Sequence, residues 1–154
     1  MSIQLICRKA QAEDVELLYK WSNDDLVRKQ SFNTERIPFE SHCKWFEGKL
    51  KDQNTLIYIM EIEAEPASVV RFEIGDENTV IGISISAAFR GKGLGKNLIM
   101  EGVDEYFKKN KLPVVASIKK DNIASIKSFE KAGFSFLKEE IINNIDSVVY
   151  QKEK

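Results

Sequence analysis

The residues best suited to a defined chemistry run Ile83-Ser84-Ile85-Ser86-Ala87-Ala88-Phe89-Arg90-Gly91-Lys92-Gly93-Leu94-Gly95-Lys96. An apolar stretch runs out, glycines stand at alternate positions, and an amphipathic segment begins at once. Glycines let a backbone adopt positive φ and pass close to a ligand. A helix starting near Gly93 offers unbonded N–H groups and the positive end of its dipole, which suits phosphate. Arg90, Lys92 and Lys96 bring positive charge to the same place. A glycine-rich turn without a ligand is the plain alternative, but glycines at a helix start destabilise it. Two nucleotide motifs are excluded by spacing. The P-loop needs Ser or Thr where Asn97 follows Gly95-Lys96, and Gly91-Lys92-Gly93-Leu94-Gly95 is not G-x-G-x-x-G.

Other chemistries find little support. His42 is the only histidine and stands beside Cys43, with Cys7 as the other cysteine. A metal site needs three or four clustered ligands, so none is expected. No G-x-S-x-G surrounds a serine, which removes the common hydrolase elbow. Lys plus Arg number 23 against 24 Asp plus Glu, a net charge of -1, and no basic run is clustered. Nucleic acid is therefore not an expected partner, since neutralising phosphates takes a basic excess or face. No apolar run approaches the roughly 20 residues needed to span a bilayer, and the first residues lack a secretory pattern. No membrane partner is expected, and the expected compartment is the cytoplasm, where two cysteines imply no disulfide framework.

The elements that must position the glycine loop can be read from periodicity. The 154 residues, 43% of them hydrophobic, suit one domain spanning 1–154. Ile3 to Arg8 reads as a strand. A helix opens at Ala12, with Val15, Leu17, Leu18 and Trp21 as its stripe, and Asn23-Asp24-Asp25 breaks it. A second helix runs from Phe39 to Leu50. Strands follow at Leu56–Glu61, Ser68–Ile74 and Thr79–Ser86, with turns at Glu63–Pro66 and Gly75–Asn78. Then come a helix from Gly93 to Asn110, a strand at Val114–Ile118, and a helix from Asn122 to Ala132 closed by Gly133. Phe134–Lys138 and Ser147–Gln151 are the last strands. That order predicts an α/β fold with a mixed sheet.

Arg90-Gly91-Lys92-Gly93-Leu94-Gly95 resembles the R/Q-x-x-G-x-G/A signature of the GNAT superfamily of N-acetyltransferases. The segment Asp121 to Phe134, with Asn122, Ser125, Phe129-Glu130-Lys131 and Gly133-Phe134, resembles a second family signature. The resemblance implies a GNAT-like, mostly antiparallel mixed sheet flanked by helices, with a V-shaped split between the fourth and fifth strands. It further implies acetyl-CoA as co-substrate, with its pyrophosphate on Arg90 to Lys96. Pantetheine would pair like a strand with backbone at Ile83, Ser84 and Ile85, and Asn122 and Ser125 would meet its amides. For Asn122 and Ser125 a helix start and a solvated first-turn residue remain the simpler reading.

Acetyl transfer to a primary amine requires loss of an ammonium proton, stabilisation of an oxyanion and protonation of the leaving thiolate. Relatives often place a Tyr where this chain has Phe129, which leaves the acid unassigned, with Tyr106 and Tyr150 as unplaced alternatives. Thr79 stands where some relatives carry a carboxylate. Glu73 is the candidate base, on the same strand face as Arg71; a surface carboxylate is the alternative. Trp21, Arg28, His42 and Trp45 are the candidate acceptor residues, aromatic faces suiting a sugar or uracil and Arg28 and His42 a phosphate. For the two tryptophans core packing is equally open. The W-x-N-D…R…S-F-N…H-x-x-W-F pattern resembles acetyltransferases of UDP-linked 4-amino sugars and, more loosely, those of ribosomal-protein N-termini. Ser22 departs from the sugar branch, which often has Arg there. A non-catalytic acyl-CoA-binding module and a homodimer stay open.

Overall fold

A computed structural model describes residues 3–154. Its strands are β1 (Leu5–Lys9), β2 (Thr55–Ile62), β3 (Glu65–Ile74), β4 (Thr79–Ile85), β5 (Val114–Lys119), β6 (Ser135–Ile142) and β7 (Ile145–Lys152). They form one sheet in the order β1-β2-β3-β4-β5-β7-β6. Every neighbouring pair is antiparallel except β4 and β5.

Alternation along the strands makes two apolar faces. Ile57, Ile59 and Val69 meet Leu18 and Trp21 of α1 (Val15–Ser22) and Phe46 of α3 (Phe39–Lys51). On the other face Met60, Val70, Phe72, Ile81, Val114, Ala116 and Ile118 meet α4 (Gly95–Phe107) and α5 (Ile123–Lys131) through Leu98, Ile99, Val103, Tyr106 and Phe129.

Two features differ from the sequence reading. Asn23-Asp24-Asp25 does end α1, but it also starts another helix, α2 (Asp25–Gln30). Asp24 caps that helix, its carboxylate accepting from the N–H groups of Leu26 and Val27 at 3.1 and 3.2 Å. Six residues carry too little periodicity to announce themselves. The last hairpin is also tighter than expected: β6 reaches Ile142 and β7 begins at Ile145. Asn143 and Asn144 make the turn with φ of 49° and 63°, a left-handed pair that asparagine tolerates.

The parallel pair β4–β5 is where the sheet opens. Register partners join only Thr79 to Val114 and Val80 to Val115. Tyr106 secures that apex from inside the core, its hydroxyl 2.6 Å from Thr79 Oγ1 and donating to the Leu112 carbonyl at 3.2 Å. Beyond Val80, β4 stays paired with β3 as far as Ile85, and β5 stays paired with β7 as far as Lys119. The two arms diverge, which is the V-shaped split.

Candidate functional site

The wall of the split follows from strand alternation. In an antiparallel pair a residue turns its N–H and C=O to the same side, and the next residue turns them to the other. Thr79 donates its N–H to Pro113 O on the β5 side, at 2.9 Å. The carbonyl of Ser84 takes the Ser68 hydroxyl from the β3 side, also at 2.9 Å. Ile81, Ile83 and Ile85 therefore turn their backbone polar groups into the split. Ser84 does not: its backbone faces β3, which corrects its expected part in binding an extended ligand through the main chain. The Ile85 carbonyl already accepts from Arg90 Nε at 3.0 Å, and the Ile81 N–H belongs to the last β4–β5 register pair, Val80 with Val115, leaving Ile83 as the wall's open backbone position.

The loop at the end of β4 fits a diphosphate. Gly91 and Gly93 have φ of 72° and 73°, in the region only glycine enters freely, and a Cβ on either would meet nothing within 4 Å. Space is therefore open above both. At the start of α4, Leu94 holds the N-cap position without a side-chain hydrogen bond. The first-turn N–H groups thus remain available to an anion. Lys92, 5.7 Å over the Phe89 ring, and Lys96 are exposed beside them.

Two loop residues act differently from expectation. Arg90 is a brace rather than a free cation: besides its bond to Ile85, its Nη2 lies 2.6 Å from Asp24 Oδ2. That pairing, with the α2 N–H groups, holds the Asp24 carboxyl below the usual range. Gly95 serves helix packing, since a Cβ there would lie 2.5 Å from Ser128 Oγ on α5. Across the split, Asn122 caps α5 by accepting from the Ser125 N–H at 3.3 Å, so the helix-start role expected of it is present. Ser125 sits half-buried in the first turn of that helix.

The α2 helix crosses the mouth of the V. Its N-terminus is tied to the β4 arm through Asp24 and Arg90. Its C-terminal carbonyl at Lys29 accepts from Lys119 Nζ at 2.8 Å, at the end of the β5 arm. Asp24 and Lys119 were not among the sequence candidates, and their partners lie 66 and 90 residues away along the chain.

Three of the four expected acceptor residues have structural duties. Trp21 packs in the α1–α3 core at 9% exposure. His42 is buried between Tyr19, Trp45 and Phe46, and its Nε2 lies 3.0 Å from the Val15 carbonyl. A carbonyl only accepts, so Nε2 carries the proton; burial pushes the imidazole pKa down and keeps the ring neutral. That removes the expected cationic contact to phosphate. Arg28 donates to the carbonyls of Ser22, Asn33 and Glu35 and to the Ser31 hydroxyl, tying up the connector after α2. Trp45 alone stays open, 38% exposed, with the Arg71 guanidinium 5.1 Å from its ring centre.

The acid and base candidates fare similarly. Glu73 accepts from Lys49 Nζ at 2.7 Å and lies 3.9 Å from Arg71 Nε. Lys49 first and Arg71 next hold its carboxyl below the usual range. A carboxylate stabilised in this way is a weak proton acceptor, the opposite of what a general base needs. Phe129 is buried edge-on against Phe134, with ring centres 5.0 Å apart. Tyr106 is committed to the apex, and the Tyr150 hydroxyl donates to Glu130 at 2.9 Å, with burial raising its pKa.

The Acetyltransferase (GNAT) domain family model matches residues 4–135. The uncharacterized N-acetyltransferase YfmK of Bacillus subtilis is 26% identical over 125 residues, 81% of each chain. Among solved structures, AAC(6')-Ib in complex with ribostamycin and coenzyme A superposes with a TM-score of 0.85 at 20% identity, covering 98% of this chain and 94% of that one. The spermidine N-acetyltransferase of Vibrio cholerae, in complex with CoA and spermine, gives 0.88 at 16% identity, covering 97% and 95%. At those identities the structural likeness speaks to the fold. Among the described residues no helix is long and apolar enough to cross a membrane.

Proposed function

Since the chain belongs to the GNAT acetyltransferase family and is an acetyl-CoA-dependent N-acetyltransferase, we propose that its acceptor is a primary amine on a nucleotide-linked amino sugar. The co-substrate supplies an activated acetyl thioester. The amine nitrogen bonds the acetyl carbon, the carbon–sulfur bond breaks, and the amine gives up one proton while coenzyme A leaves as the thiol. Ile83 offers backbone partners along the split, and Gly91, Gly93 and the start of α4 take the diphosphate, with Lys92 and Lys96 beside them.

The observation that carries the acceptor reading is Trp45. Its indole stays open on the sheet face carrying α1 and α3, while the opposite face of β4 is filled by α4. Arg71 lies over the ring at 5.1 Å from its centre, and the exposed remainder of the indole suits apolar contact with a sugar or a uracil. The sequence pattern from Trp21 to Phe46 resembles that of the amino-sugar branch, and of its four acceptor candidates Trp45 is the one left open. The candidate base, Glu73, is held as a weak proton acceptor by Lys49, so the amine reacts as its neutral form, and binding supplies proximity.

The test compares kcat/KM for a UDP-linked 4-amino-6-deoxy sugar with that for a peptide bearing a ribosomal-protein N-terminus. The sugar is expected to be the better acceptor. Preference for the peptide would overturn the sugar assignment.

A further inference from the structure

Arg71 is held in an unusual way for a strand cation. It is the cross-strand partner of Gly82 on β4. A Cβ built on Gly82 would lie 4.0 Å from Arg71 Nη2, so the guanidinium lies over the strand that walls the split. It also lies over the Trp45 ring, 5.1 Å from Cζ to the centre. Arg71 is nevertheless 40% exposed, and its one ion-pair contact among the described residues, with Glu73 at 3.9 Å, is longer than a hydrogen bond. Lys49 lies one turn beyond Trp45 on α3 and takes Glu73 at 2.7 Å. Lys49 thus faces two carboxylates, Glu73 and the nearby Asp52, and the least closely paired charge of the cluster is that on Arg71.

Stacking on an indole restrains a guanidinium and leaves its N–H edge free to donate. A planar fork of donors matches the oxygens of phosphate or carboxylate and can bind them in bidentate fashion. The absent side chain at Gly82 leaves room at that edge. Glu73 then has a clear task, holding Lys49 and screening part of the charge, which agrees with its lowered pKa.

We propose that Arg71, stacked on Trp45 beside Gly82, is a specificity-determining residue that receives an anionic group, phosphate or carboxylate, carried by the acceptor amine. This rests on the acetyltransferase reading and names the acceptor class it favours. Polyamines and other polycations are disfavoured at the same site, because a second cation there would meet the Arg71 guanidinium.

The test uses the full chain with acetyl-CoA, following acetylated product by chromatography. The acceptors are a UDP-linked 4-amino-6-deoxy sugar, the same amino sugar without its nucleotide, a short peptide amine with acidic side chains, its neutral counterpart, and spermidine. The parent is expected to prefer an anionic acceptor over its neutral counterpart by about tenfold or more in kcat/KM, the worth of one charge-assisted hydrogen bond. That ratio should collapse towards one in Arg71→Met, mainly through KM, persist in part in Arg71→Lys, and shrink at high salt. Thermal melting of each variant checks the fold. An anionic-to-neutral ratio that survives Arg71→Met in every pair overturns the proposal, as does a parent that favours spermidine. If only the acidic peptide pair shows the Arg71-dependent ratio and the UDP-sugar is not acetylated, the sugar assignment falls and the Arg71 proposal stands. A UDP-sugar acetylated with no Arg71 dependence gives the reverse.

Discussion

Replacing Asp24 by Asn isolates the tie between the cofactor loop and the helix across the cleft. Asn and Asp cap helices about equally well, so the bonds from Leu26 and Val27 should survive. What disappears is the charge that meets Arg90 Nη2 at 2.6 Å. A sheltered charge-assisted hydrogen bond contributes about 1.5–3 kcal/mol, and an exposed ion pair about 0.2–1 kcal/mol. Both side chains are about a quarter exposed, which places the expected loss between those ranges, near ~1 kcal/mol. For a chain of this size that lowers Tm by about 2–4 °C. Asp24→Ala removes the cap as well, costing about 1 kcal/mol more and roughly doubling the shift. Because Arg90 first, and the α2 N–H groups with it, lower the Asp24 pKa, this stability is fully present above the ordinary Asp pKa of about 3.9. It is lost as pH falls through the lower folded value. Circular-dichroism melts of parent, Asp24→Asn and Asp24→Ala at pH 7, and again below pH 4, measure the series. Asp24→Asn should also lower acceptor kcat/KM more than it weakens acetyl-CoA binding if α2, which joins the β4 and β5 arms, borders the face proposed for the acceptor. An Asp24→Asn protein that melts with the parent at pH 7, or an Asp24→Ala protein no worse than Asp24→Asn, would refute the reasoning.

The helix pair at the phosphate loop should resist enlargement: Gly95→Ala forces its methyl against Ser128, and overpacking of about 1–3 kcal/mol outweighs a helix-propensity gain of about 1 kcal/mol. Melting temperature and the acetyl-CoA thermal shift should both fall, and Ser128→Gly in the same chain should restore the shift. His42→Leu removes the ring N–H that the Val15 carbonyl accepts in addition to its helical bond and should cost about 0.5–1.5 kcal/mol at pH 7. Since burial lowers the His42 pKa, its contribution holds above the ordinary value of about 6.5 and drains as pH falls through the folded value. Chemical denaturation should therefore show the gap between parent and variant narrowing from pH 7 to pH 5. Cys7 has its thiol pushed up to about 12, by burial first and by Glu105 and Glu101 next, so iodoacetamide at pH 8 should leave it unmodified in the native protein, as read by peptide mass spectrometry.

The residues legible in the sequence are those whose purpose depends on near neighbours. Gly91 and Gly93 announce a left-handed turn before a helix, Asn122 announces a cap three residues from its partner, and apolar runs mark the central strands, whereas the exposed far half of β6 carries no such pattern. The place of the split between the fourth and fifth strands comes from the family resemblance that the two signatures carry. Side-chain allegiance across the fold is a different matter. Arg90 reads as a phosphate cation until Asp24, 66 positions earlier, takes its guanidinium. His42 and Arg28 carry the right chemistry for an acceptor pocket, yet burial neutralises the one, and the carbonyls of its own connector occupy the other. Glu73 alternates correctly with Arg71, but only the packing of α3 brings Lys49 against it and makes it a poor base. Residue types and spacing thus determine the scaffold and the cofactor loop, because turns, caps and periodicity are local. The tertiary structure decides which charges remain free to do chemistry, because ion pairs and burial join residues that the chain keeps far apart.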